Sequence, residues 1–428
     1  MVEHDPPVHL LTTWNDSEAE MVRELLASYG IRCSVSSEVP HSILPLNVDG
    51  LGAIRLHVPA QAEEEARRIL AAHRAAGRDP REERSKGMVV PMPVTVRAAT
   101  RIDLAGGTLD IWPLYLFLDA PVTVNLAIDL PAVAEASLLS GSRVEIASDD
   151  LGQSVQAGCP LDLDLAGELP LACRLVRVMA PEGGLRLRTA ASVPAGSGMG
   201  GSSALAVAMA VAVRTLKGKP PQRRDLPSLT RLLANVEAQV LGIPTGVQDY
   251  YPPLLGGCQA LFFSARGVEP RPIPVSNALL EERLVLAYEG GSRSSGLSNL
   301  DMLRRYLGGE EKVRAGLTQV ARAAGQMHAA LTAGDMEAAA HAMAREMAAR
   351  RQLSPQVMTQ ATRRLFAAAR SVGAAAKVCG AGGGGCSVYW SAAGRREDLV
   401  AALEKAGGRV LPFRIAPHGL LSEGQFQP

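Results

Sequence analysis

The run SVPAGSGMGGSSALAVAMAVAV, residues 192–213, constrains this chain more than any other stretch. Before it, LRLRTAASV (185–193) alternates apolar and polar residues, a strand pattern. After it, residues 203–216 are Ala-rich and free of Gly and Pro, a buried-helix pattern. The order is therefore strand, glycine loop, helix. A helix start exposes unpaired N–H groups and a partial positive charge. Glycines let an anion approach that backbone closely. Together these describe a phosphate cradle. The plainer reading is a tight turn with a serine N-cap.

Two phosphate motifs are tested against this run. A Walker loop needs Lys and then Ser or Thr after its last glycine, but Gly201 is followed by Ser202, Ser203 and Ala204. Gly196, Gly198 and Gly201 do satisfy G-x-G-x-x-G. The acidic residue expected at the end of the next strand is missing, because Asp225 falls in the Pro-rich basic stretch KGKPPQRRDLPS. Dinucleotide binding is rejected.

Charge narrows the classes further. With 44 basic and 43 acidic residues the net charge is +1, so no nucleic-acid partner is expected. The longest apolar run, 204–213, is too short to span a bilayer, and no membrane partner is expected. The start, MVEHDPPVHL, does not read as a secretory signal. The six cysteines show no C-x-x-C spacing, which suits reduced thiols in the cytoplasm. No His/Cys cluster suggests a metal centre.

Three domains and a linker are expected. Residues 1–76 read as a small α+β module of order β-α-β-β-α, and 77–90 as a charged linker containing Gly and Pro. The first helix is expected to be N-capped by Asp16 or Ser17 and stopped by Gly30. The module holds no cluster of catalytic residue types. Its pattern resembles a small bacterial domain described as signal-transducing. A ligand-binding or regulatory role and a structural or oligomerising role both stay open. The remaining chain divides into lobes at 91–275 and 276–428.

Beyond the linker, VTVRAATRIDLAGGTLDIWPLYLF sets Arg101 and Asp110 on either side of a Gly106-Gly107 turn. NVEAQVLGIPTGVQDYYPPLLGG puts Glu237 on a helix and Asp249 just past a Pro-Thr-Gly turn. KVCGAGGGGCSVYW sets a second glycine loop between two short strands. Singly these read as a solvated strand arginine, a turn cap and a hairpin bend. Together they supply what phosphoryl transfer needs: a phosphate cradle, a carboxylate and hydroxyl for Mg²⁺, a second carboxylate for the acceptor proton, and a permanent cation.

The segments RIDLAGGTLDIWPLY, PAGSGMGGSSA and CGAGGGGCSVYW resemble, in order, the three signature motifs of the galactokinase, homoserine kinase, mevalonate kinase and phosphomevalonate kinase (GHMP) superfamily. The resemblance covers about residues 90 to 420. AYEGGSRSSGLSN and AREMAARRQLSPQV are similar to segments of its heptose-phosphate kinases. It implies an α+β, two-lobed GHMP kinase fold, with a ribosomal S5 domain 2-like N-lobe and a ferredoxin-like C-lobe. It implies ATP and Mg²⁺ as cofactors and a sugar or sugar phosphate, heptose 7-phosphate above all, as the small-molecule partner. A fucokinase-like free-sugar kinase is the alternative, as is a kinase fold that senses sugar and ATP without turnover. A mevalonate-type acceptor or a decarboxylase is a weaker third option. The oligomeric state is open, a homodimer included.

Position by position, the resemblance implies that Pro194, Gly196, Ser197, Gly198, Met199, Gly200, Gly201, Ser202 and Ser203 bind ATP. Ser203 and Glu237 would hold Mg²⁺. Asp249 would be the base, with Arg101 beside it. Asp110 would bind sugar hydroxyls, and Gly107, Gly382 and Gly383 would shape the substrate site. Sugar-kinase relatives read A-G-G-G-T-D where this chain reads AGGTLD, so Leu109 stands where Thr is expected. No lysine lies between Lys86 and Lys217, which leaves Arg101 as the first motif's cation. Arg293, amid Gly and Ser, is the candidate for a phosphate carried by the acceptor. Arg350 and Arg351 are expected in a helix's last turn, where arginines are usually solvated.

Overall fold

The computed structural model describes residues 7–13, 16–37, 54–76, 92–180, 182–291 and 299–422. It divides into two compact units, Met1–Val90 and Pro91–Pro428.

In the first unit, β1 (Pro7–Thr13), β2 (Ser34–Ser37) and β3 (Ile54–Pro59) form an antiparallel sheet of order β1-β3-β2. Ile54, Leu56 and Val58 alternate inward along β3, as period-2 strand geometry requires. They meet Leu26 of the helix Asp16–Ser28 and Ala66 of the helix Glu63–Ala76. Gly30 ends the first helix at φ 78°, a conformation glycine adopts without strain.

The second unit contains two sheets. Its strands are β4 (Val94–Ala105), β5 (Val122–Leu138), β6 (Val144–Ser148), β7 (Gln153–Ala157), β8 (Leu185–Ala191), β9 (Cys258–Ser264), β10 (Gly267–Pro272), β11 (Leu284–Tyr288), β12 (Ala375–Val378), β13 (Cys386–Trp390), β14 (Arg409–Leu411) and β15 (Leu420–Ser422). The larger sheet runs β10-β9-β5-β8-β6-β7, with β4 paired to both β5 and β15. All its pairs are antiparallel except β6 with β8. The helix Gly201–Leu216 packs on β4 and β5 and is apolar almost all round, so it sits inside the lobe.

The smaller sheet has order β12-β13-β11-β14, antiparallel throughout. Helices between β11 and β12, and Arg396–Lys405 between β13 and β14, complete a ferredoxin-like split β-α-β. Ile102 and Leu104 of β4, Leu126 of β5, Leu286 of β11 and Val388 of β13 share one apolar core. That core holds the two lobes' glycine loops against each other. The fold is α+β.

Candidate active site

The loop between β8 and the helix Gly201–Leu216 needs glycine for two separate reasons. Gly196, Gly198 and Gly200 take φ of 71°, 77° and 67°, where side chains are strained. Gly198 also has no room, since a Cβ there would lie 2.5 Å from the Cys379 carbonyl oxygen. The β12–β13 hairpin answers in kind. A Cβ on Gly380 would lie 2.9 Å from the Gly198 backbone, and the Cys386 N–H donates to the Ser197 oxygen at 2.9 Å. The two glycine loops therefore meet backbone to backbone.

A cavity of about 670 Å³ opens beside this contact. Pro194, Gly196, Ser197, Gly198, Gly200, Gly201 and Ser202 line it, as do Arg101, Asp249 and Asn299. Gly380, Ala381, Gly382 and Gly384 come from the hairpin. Leu151, Leu169, Pro170, Leu171, Leu205 and Ile243 give it an apolar wall. Met199 and Ser203 are buried behind the loop.

Arg101 is 3% exposed and forks onto Asp249, with Nε to Oδ1 at 2.8 Å and Nη2 to Oδ2 at 2.9 Å. Its Nη1 donates to the Gly198 oxygen at 2.5 Å. One guanidinium thus ties the carboxylate to the cradle. Asp249 is a quarter exposed and faces the cavity.

Glu237, on the helix Leu226–Leu241, collects three hydroxyls. Ser202 Oγ donates to Oε1 at 2.5 Å, Ser203 Oγ donates to Oε2 at 3.1 Å, and Tyr250 Oη donates to Oε2 as well. Burial, then the neighbouring Glu237 charge, pushes the Tyr250 phenol far up, so Tyr250 stays a donor. The carboxylate and two serine hydroxyls form an all-oxygen donor set of the kind Mg²⁺ takes, although of the three residues only Ser202 lines the cavity.

Asp110, expected as a sugar ligand, lies beneath the turn that carries Asp249. It is 2% exposed, does not line the cavity, and accepts the Gln248 N–H at 2.9 Å. Burial, then the charge of Asp249, raises its carboxyl to about 6. Gly107 is enclosed too, because a Cβ there would lie 2.1 Å from Asp103 Oδ2. Gly382 lines the cavity, whereas the Gly383 N–H is spent on the Val357 oxygen at 3.0 Å. Arg293 lies outside the described residues.

Arg350 overturns its expectation. It is 7% exposed and belongs to a buried cluster of two carboxylates and two cations that sequence reading misses. Lys377 Nζ donates to Asp103 Oδ2 at 2.8 Å, and Arg350 Nε donates to Glu346 Oε1 at 2.9 Å. Arg350 also holds the Gly380 oxygen at 2.6 Å and Thr108 Oγ1 at 3.4 Å. Helix phase decides this. Glu346 and Arg350, four apart on the helix Met336–Leu353, share its buried face, while Arg351 is exposed and lines a separate cavity of about 360 Å³. The one available signal is Lys377, a charge in the short strand AAKV.

The chain is similar to known proteins in sequence and in fold. The GHMP kinases N terminal domain matches residues 165–257, and the GHMP kinases C terminal domain matches 327–409. A domain described as "Putative prokaryotic signal transducing protein" matches 8–74. The chain is 27% identical over 241 residues to the D-glycero-alpha-D-manno-heptose 7-phosphate kinase of Campylobacter jejuni, covering 55% of this chain and 70% of that one. It is 25% identical over 323 residues to the bifunctional fucokinase/GDP-fucose pyrophosphorylase of Arabidopsis thaliana, 70% of this chain but 30% of that protein. In structure it is similar to a D-glycero-D-manno-heptose 1-phosphate kinase from Bacteroides thetaiotaomicron, with TM-score 0.63, 23% identity, and coverage of 78% of this chain and 100% of that one. Among the described residues no helix is long and apolar enough to cross a membrane.

Proposed function

We propose that this member of the GHMP kinase family, which carries both of the family's domains, transfers the γ-phosphoryl group of ATP to a hydroxyl of a sugar phosphate of the heptose 7-phosphate type. The observation that carries the reading is the Arg101–Asp249 fork, fixed to the Gly198 oxygen at the mouth of a glycine loop.

The residues divide the work by chemistry. The first turn of the helix Gly201–Leu216 and the loop before it offer N–H groups to the phosphates, and the apolar wall receives the base. Asp249 accepts the proton of the attacking hydroxyl, as a cavity-facing carboxylate can. Arg101 holds that carboxylate in place through both of its oxygens. Ser203 and Glu237 would hold Mg²⁺, which when bound offsets the charge of the transferring phosphoryl group. Glu237→Gln is expected to weaken Mg²⁺ binding more than nucleotide binding, with rate partly recovered at high Mg²⁺. Identical Mg²⁺ titrations of rate in parent and variant would show that Glu237 only packs the helix.

The acceptor is tested by ADP production over a panel of sugars and sugar phosphates. A phosphate held by a charge-assisted pair gains roughly 1.5–3 kcal/mol, so kcat/KM for heptose 7-phosphate should exceed that for the free sugar by about 10- to 150-fold. A free sugar such as fucose used better than any sugar phosphate would move the assignment to a free-sugar kinase.

A further inference from the structure

Asp249 is presented by a turn, and something must hold that turn. The segment before it, residues 244–247, has little regular structure of its own ahead of the short helical turn Gln248–Tyr250. Arg101 grips the carboxylate end of Asp249. The backbone leading into Asp249 is gripped from the other side, by Asp110. We propose that Asp110 is a positioning residue for the base, anchoring the turn that carries Asp249. The proposal rests on the kinase reading for its consequence and on local geometry for its content.

Four observations converge. Asp110 Oδ2 accepts the N–H of Gln248, the residue next to Asp249, at 2.9 Å. The turn lies directly on the carboxylate, since a Cβ added at Gly246 would come 1.9 Å from Oδ2 and 2.6 Å from Cγ. Ile111, next to Asp110, makes an isolated antiparallel bridge to Gly246, which fixes the two backbones in register. Asp110 is 2% exposed and absent from the cavity lining, whereas Asp249 lines it. The carboxylate oxygen Oδ2 lies directly under the backbone turn. It is well placed to set the height of the turn, and a misplacement of about 1 Å at a reacting group costs on the order of 10²-fold in rate.

The neighbours of Asp110 account for its sequence context. Leu109 before it is fully buried in the core, and Thr108 takes φ 90°. Thr108 is the residue that Arg350 reaches from the C-terminal lobe. The AGGTLD turn thus faces the base turn with Asp110 and the ion cluster with Thr108. Its specialisation is internal, between protein segments.

The test separates anchoring from acceptor binding. With ATP and heptose 7-phosphate, Asp110→Ala is expected to lower kcat about 10- to 100-fold with little change in the acceptor KM. Asp110→Asn still presents an oxygen to the Gln248 N–H and should stay within roughly threefold of the parent. Gly246→Ala, with Asp110 intact, should reproduce the kcat loss. A rise in acceptor KM at unchanged kcat in both Asp110 variants would make Asp110 a direct acceptor ligand and overturn the proposal. Amide hydrogen exchange at Gln248, measured on the full chain with no substrate, probes the anchor independently of turnover. Protection should be present in the parent and the Asn variant and lost in the Ala variant while melting stays cooperative. An equally protected Ala variant would overturn the anchor. A parent that forms no ADP with any sugar would instead sink the kinase reading and leave the exchange result standing.

Discussion

Asp249→Asn should lower kcat by roughly 10²- to 10⁴-fold, the usual consequence of removing a general base. Asn has nearly the shape of Asp, and its remaining oxygen still accepts from Arg101, so the fork is weakened but present. What disappears is the acceptor for the hydroxyl proton and the charge that pairs a 3%-exposed guanidinium. The second loss costs stability. ATP binding must therefore be titrated alongside turnover. The cradle is built from residues 194–203, the hairpin and the Arg101 contact to Gly198, all of which the substitution leaves in place. ATP affinity is accordingly expected to hold while turnover collapses. If the Asn variant turns over like the parent, another group takes the proton. If ATP affinity falls as far as kcat, Asp249 shapes the site and does not act as its base.

What is legible in the sequence follows from the range of the forces involved. The glycine cradle can be read because φ near 70° and a 2.5 Å approach leave glycine as the residue that fits, and glycine shows in the sequence. The strand, loop and helix around it can be read because burial imposes periods of two and 3.6. The meeting of Arg101 with Asp249, 148 positions apart, comes only through the resemblance to kinases. Spacing alone carries no such information. Tyr250 and Asp103 give no signal, since a tyrosine among apolar residues and an aspartate in an alternating strand look ordinary until their partners are known. Arg350 is misread for a specific reason. A helix's last turn tolerates arginine by its dipole, and that explanation suffices while the buried face is unknown. Asp110 stands out in the sequence as a carboxylate just past a glycine turn, but burial, which sequence does not report for a lone carboxylate, decides what it touches.

Removing Lys377 should destabilise the protein by about 3–5 kcal/mol, the expected result of breaking a buried ion pair from one side. Lys377, Asp103 and Glu346 are fully buried, and Arg350 is nearly so. The four charges cancel. Asp103 Oδ1 and Glu346 Oε2 already lack a hydrogen-bond partner, so the cluster has no spare donor with which to absorb the loss. Lys377→Met keeps the volume and leaves one net negative charge inside the core. Burial alone raises the Asp103 carboxyl, and Lys377, Arg350 and Arg101 outweigh it and hold the value below the ordinary 3.8. In the parent, then, the Asp103 contribution is present above about pH 4 and is lost only as pH falls through the depressed native value. In Lys377→Met burial loses its largest opponent and the native carboxyl moves up. The stability gap between parent and variant should therefore widen as pH rises from about 3 to about 7, as urea unfolding at the two pH values will read. Asp103→Asn on top of Lys377→Met restores neutrality and should recover much of the gap. A gap that does not change with pH would mean that the methionine fails by packing. If instead the single variant is as stable as the parent at neutral pH, the cluster is not paired as the distances say, and the hold of Arg350 on Gly380 and Thr108 must come from elsewhere.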